Sequence, residues 1–91
     1  MNYPFTNMNF GEALEALKRE MKVAREGWNG KGMWVELQTP TETSKMTRPY
    51  IYMTCPKGST RQFGEQQKDF ELVPWLASQT DILAEDWKVI I

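Results

Sequence analysis

The chain contains no histidine and one cysteine, Cys55, among its 91 residues. Without histidine it lacks the side chain most often used as a general base near neutral pH and as a metal ligand. One cysteine excludes an intramolecular disulfide framework and fits a reducing compartment. With no histidine beside it, Cys55 also leaves no transition-metal constellation of sensible spacing, so no cofactor or metal is expected. As a thiol without a neighbouring base it reads as passive rather than nucleophilic. Apolar runs are only a few residues long, so neither a membrane span nor a secretory leader is expected. Nor is there an excess of positive charge. Eleven Lys and Arg against twelve Asp and Glu give a net charge of -1, which argues against binding long nucleic acid. A small anion needs only two or three placed donors and remains allowed.

What is present is bulk. Hydrophobic residues make up 41% and charged residues 25% of a chain sized for one domain, 1-91. Four Trp, four Phe, three Tyr and six Met are more large side chains than so thin a core readily hides. A homo-oligomer that buries the surplus between subunits is therefore expected.

Periodicity places the elements. "NFGE" from Asn9 is a capping box, and Phe10, Leu14, Leu17 and Met21 then fall on one helical face. The expected helix runs from Phe10 to Glu20. "KVARE" alternates as a strand, "NGKG" supplies turn residues, and "MWVELQ" continues as a second strand. Met33, Val35 and Leu37 share one of its faces, Trp34 and Glu36 the other. A tight hairpin at Gly30-Lys31 would set Trp28 opposite Met33. "YIYMTC", "FELVPW" and "DWKVII" read as further strands, with exposed loops over 38-48 and 56-70. "SQTD" opens one or two helical turns over Ile82 to Glu85. The fold class expected is α+β, a small antiparallel sheet with an N-terminal amphipathic helix and a short second helix.

Two stretches carry candidate chemistry. Around "REGWNGKGMW", Trp28 and Trp34 would be cross-strand packing partners, or would wall a pocket with Arg25, Asn29, Gly30 and Lys31 beside them. Aromatic faces stack on a nucleobase, cations meet phosphate and glycine amides approach closely. In "VPWLASQTD", Trp75 precedes Ala77, Ser78, Thr80 and Asp81. Ser78 and Asp81 cap their own helix, or the amides there seat a phosphate while Asp81 takes a ribose hydroxyl or base edge. Arg48, before Pro49 and Tyr50, marks a strand entrance or a pocket rim. Asp81, Glu85 and Asp86 read better as caps and solvated charge than as an acid/base pair.

Taken together, "MNFGEALEALKREMKVAREGWNGKGMWVEL", "PYIYM" and "LVPWLASQTDILAEDW" resemble the phage Thoeris anti-defence protein 2 family over well over half of the chain. "GWNGKGMW" and "VPWLASQTDILAEDW" are its most distinctive strings. The resemblance implies a non-enzymatic sponge acting in the cytoplasm of the infected bacterial host. Such a protein sequesters the cyclic ADP-ribose-type signal of Thoeris TIR-domain enzymes, glyco-cyclic ADP-ribose, without cleaving it. It also implies a homotetramer with pockets shared between subunits, and in some members cyclic dinucleotides held at a separate place. "MNYPFTN", within an N-terminal extension over 1-8, and the long stretch Pro56 to Phe70 depart from the family pattern. A hydrolase of the same signal, with Asp81 or Glu85 as base, and a plain protein-interaction module are the competing readings.

Overall fold

A computed structural model describes residues 5-28, 32-56 and 70-90. In chain order the elements are α1 (Phe10–Lys18), β1 (Lys22–Arg25), a 3-10 turn (Glu26–Trp28), β2 (Trp34–Gln38), β3 (Tyr50–Pro56), β4 (Phe70–Pro74), α2 (Gln79–Leu83) and β5 (Trp87–Ile90). The five strands form one antiparallel sheet in the order β4-β3-β2-β1-β5. The expected α+β class is what the chain adopts.

The first helix begins where its capping box puts it: Asn9 Oδ1 accepts from the Glu12 amide and Glu12 Oε1 from the Asn9 amide. It ends at Lys18, earlier than the Glu20 expected. Glu20 takes a left-handed conformation, φ 67°, and its amide donates to the Leu17 carbonyl while that of Met21 donates to Ala16. This is the Schellman arrangement, with glutamate in the position glycine usually takes. Its apolar face meets one side of the sheet. Ala13, Ala16 and Leu17 pack there with Met8, Val23, Val35 and Trp87 as the buried core, flanked by Phe10, Leu14 and Met21.

Alternation divides the strands as expected. Val23, Val35 and Met53 lie in register across β1, β2 and β3 on the side that α1 covers. Trp34 and Glu36 share the opposite side, where the Trp34 indole donates to Glu36 at 2.7 Å. The register of the first hairpin differs from expectation. Val23 pairs with Val35, three positions from the register that would set Trp28 opposite Met33. The cause is the 3-10 turn, which takes Glu26–Trp28 out of β1 and is held by a distant segment. The Glu26 amide donates to the Asp86 carbonyl at 2.9 Å, and the Gly27 amide to the Asp86 carboxylate at 2.8 Å.

Of the expected extension over 1-8, residues 5-8 run along β5. Met8 exchanges two backbone bonds with Trp87, and the Phe5 carbonyl accepts from Val89. Met8 is itself fully buried. Of the stretch 56-70, Pro56 and Phe70 pair with each other as strand ends, and the residues between lie outside those described. Among the described residues no helix is long and apolar enough to cross a membrane.

Candidate functional site

Three indoles converge where the 3-10 turn, the segment after β4 and the start of β5 meet. Trp28, Trp75 and Trp87 contact one another edge to face, with centroids 5.4 to 6.3 Å apart. This geometry suits the quadrupoles of the rings. Trp87 is the hub. It is fully buried, meets the Phe10 ring at a tilt, and satisfies its indole N–H on the Asp81 carbonyl at 3.0 Å. Trp28 and Trp75 lean on this hub and stay partly buried. Trp34 is not among them. It lies on the other side of the sheet, against Phe70 and beneath the Lys22 ammonium at 4.9 Å.

Beside the cluster, Arg25 binds two carboxylates. Its Nε donates to Asp86 Oδ1 at 2.8 Å and its Nη1 to Asp81 Oδ1 at 2.9 Å, with a longer Nη2 contact to Asp86 Oδ2 at 3.4 Å. Asp81 also accepts from the Ser78 amide and hydroxyl through Oδ2, while the Ser78 hydroxyl accepts the Asp81 amide. Asp86 hydrogen-bonding raises the Arg25 pKa further, against partial burial. The Asp86 carboxyl is held below the usual range chiefly by Arg25, against some burial and aided by the Gly27 amide. At Asp81 burial pushes the value up, but bonds from Ser78 and Arg25 together outweigh it and the net shift is downward. Gly27 suits the close approach: a Cβ there would stand 2.9 Å from Asp86 Oδ2 and 3.1 Å from Arg25 Nη2, so the ion pair would have to shift.

The capping reading of "SQTD" is therefore what forms, with the helix starting at Gln79 rather than at Ile82. Ser78 and Asp81 spend their side chains on the box and on Arg25. Arg25 and Asp81, two separate candidate ligand groups in the sequence, are partners of each other. Asp86 completes the constellation. The sequence offers no local signal for this pairing, because Asp86 lies 61 residues from Arg25.

A recess of about 180 Å³ opens next to this network, lined by Ala24, Arg25, Trp28, Gly32, Met33, Lys88 and Ile90. It brings together Arg25 and Trp28 of the candidate residues and adds Lys88, which sequence reasoning missed. The alternation of "DWKVII" was the available signal: with Trp87 in the core, Lys88 must face the other way. Thr80 is exposed and Ala77 half-exposed beside the cap, while Arg48 is exposed ahead of β3. Asn29, Gly30 and Lys31 lie outside the described residues. Two further recesses lie elsewhere, one of 140 Å³ between Tyr50, Tyr52 and Pro74 and a polar one of 340 Å³ at Glu20, Glu36 and Gln38. In the latter, burial and then Glu36 raise the Tyr52 pKa. No group of three or more metal-ligating side chains forms among the described residues.

Most of the chain is similar to known proteins. The Thoeris anti-defense 2-like domain matches residues 8-90. The chain belongs to the Thoeris anti-defense 2-like family. A Bacillus phage SP01 protein, Thoeris anti-defense 2, is 37% identical over 89 residues, covering 93% of this chain and 97% of its own length. As a Thoeris anti-defense 2-like protein the chain has an anti-defence role. The match begins at Met8, the residue whose burial and pairing to Trp87 anchor the N-terminal segment.

Proposed function

We propose that the protein is a sponge, retaining a cyclic ADP-ribose-type signal, glyco-cyclic ADP-ribose, by binding it and leaving it intact. The observation that carries this reading is the recess that sets the partly buried Trp28 indole beside both an arginine and a lysine, with Trp75 edge to face against Trp28. A flat ring offers stacking surface, and a cation on the recess wall offers charge for a diphosphate. The chemistry around them suits retention. Asp81 and Asp86, the two carboxylates of the network beside the indoles, have lowered pKa values and are already bonded to Arg25. A carboxylate held in that way is a poor general base.

Size supports a shared pocket. A recess of 180 Å³ is below the roughly 300–1,000 Å³ of sites that enclose whole ligands. It fits a base or a phosphate-ribose portion, and a neighbouring subunit would supply further walls. Among the described residues no helix lies over the sheet side carrying Trp34, Tyr52 and Leu72, and Leu76 is 90% and Leu83 76% exposed. Apolar surface of that kind suits burial between copies, and a homotetramer is the assembly we propose. Cyclic dinucleotides are the second ligand class, at a place apart from the Trp28 recess. The site of action is the cytoplasm of the infected bacterium, where the signal is made.

The decisive experiment mixes protein in excess with glyco-cyclic ADP-ribose, passes the mixture through a size filter, then heats the retained fraction. Loss of free ligand followed by recovery of the unaltered molecule is the expected result. Fragments after heating would establish a hydrolase instead. Absence of any depletion would leave a protein-interaction module. A cyclic dinucleotide added as competitor should leave the retained signal in place.

A further inference from the structure

Two cations line the Trp28 recess, and they are held very differently. We propose that Lys88, rather than Arg25, is the group that meets the diphosphate, and that Glu26 keeps it poised until ligand arrives. The proposal rests on the retention reading above and names the specificity residue of that same site.

Arg25 is committed. Its side chain is 16% exposed and its guanidinium binds two carboxylates at 2.8 and 2.9 Å, and both of those carboxylates also accept from backbone amides. Drawing Arg25 away toward an anion would strand two partly buried charges, the outcome that makes such pairs costly to break. Lys88 has a single ion-pair partner among the described residues, Glu26 Oε1 at 3.2 Å, with side-chain exposures of 34% and 72%. A pair this open to water is weakly coupled and readily exchanged. Lysine also carries its charge on a long, rotatable stem, so the ammonium can swing without disturbing the backbone.

The sheet makes room for that movement. Lys88 lies opposite Ala24 across the β1-β5 ladder, and the small alanine leaves open the floor of the recess that both residues line. Trp87 and Val89, its neighbours along β5, pack on the core side. Lys88 is thereby aimed into the recess by the alternation of the strand. An incoming diphosphate replaces one carboxylate with two negatively charged phosphates. Glu26 is released to solvent, where it loses little.

The test is titration calorimetry of the full chain with glyco-cyclic ADP-ribose, at low and at high salt. Lys88→Gln should weaken binding about tenfold at low salt, the size of one charge-assisted bond, with the gap narrowing as salt screens it. Glu26→Gln should tighten binding about two- to threefold, since it frees the lysine from an exposed pair. The double variant should match Lys88→Gln alone. A gain in the Glu26 variant cannot arise from misfolding, so it guards the conclusion if Lys88→Gln proves unstable. Wild-type affinity in Lys88→Gln, or no gain in Glu26→Gln, overturns the role of Lys88 while the sponge stands. No binding by the wild-type protein overturns both.

Discussion

Arg25 shows what one side chain decides. It ties the end of β1 to the cap of α2 through Asp81 and to the entry of β5 through Asp86, so three segments depend on it. Replacing it with glutamine leaves both carboxylates without their cation. Asp86 is about a third exposed, so the expected loss is about 2–3 kcal/mol, under the range for fully buried pairs. The pH dependence has a definite sign. Both carboxyls are lowered in the fold, so the unfolded chain binds more protons near pH 4. Their contribution is complete above the ordinary carboxylate value of about 3.9 and is lost as pH falls through the lower folded values. Arg25, raised from an already high value, stays charged throughout. Urea midpoints should hold level from pH 5 to 8 with respect to this network, roughly the range where stability commonly peaks, and fall in acid. In Arg25→Gln the acid-side fall should be shallower.

At the scale of single elements the local code is strong. Both helices begin at capping boxes that can be read directly from four residues, Asn9 to Glu12 and Ser78 to Asp81. Where the ends were misjudged, the reason lies in backbone conformation. Nothing in the type of residue 20 advertises a left-handed turn, since glutamate is unusual there, yet the chain ends α1 with it. Glycine at that position removes the steric cost. Glu20→Gly should therefore raise stability by up to about 1 kcal/mol, the left-handed cost of about 1–2 kcal/mol less the roughly 0.5–1 kcal/mol that glycine's extra freedom takes back, read as a higher urea midpoint with an unchanged slope. A lower midpoint would mean that the Glu20 side chain contributes more than its backbone costs. The second boundary error, at the 3-10 turn, has a different origin. "NGKG" is good turn chemistry, but Asp86 reaches across from another element to hold Gly27. A reading of adjacent residues has no access to that bond.

On the scale of the whole molecule, the sheet has one dressed side and one bare side. The first is covered by α1 and contains the buried core. The second carries Trp34, Tyr52, Leu72 and Phe70, with no helix across it among the described residues. If this surface is closed by other copies, placing charge in its middle should split the assembly. Trp34→Glu combined with Leu72→Glu is expected to shift the mass measured by light scattering to a smaller species, while the circular dichroism spectrum persists. An unchanged mass would move the subunit contacts to another surface, such as the exposed Leu76 and Leu83. The tryptophans illustrate the same division. All four are alike in sequence, but one is core, two lean on it with an edge in solvent, and one lies across the sheet.

What the sequence determined by itself is everything set within a few residues. The capping boxes, the helical face of Phe10, Leu14 and Leu17, the two-residue alternation of the strands and the α+β class all follow from local geometry. The distinctive strings around Trp28 and Trp75 carried the family as well. Tertiary structure alone decided the partner of Arg25, the addition of Lys88 to the recess and the separation of Trp34 from the other indoles. The physical reason is the pairing of β5 with β1. That ladder brings together residues some sixty positions apart, and which charges meet there depends on strand order rather than on any neighbour in the chain.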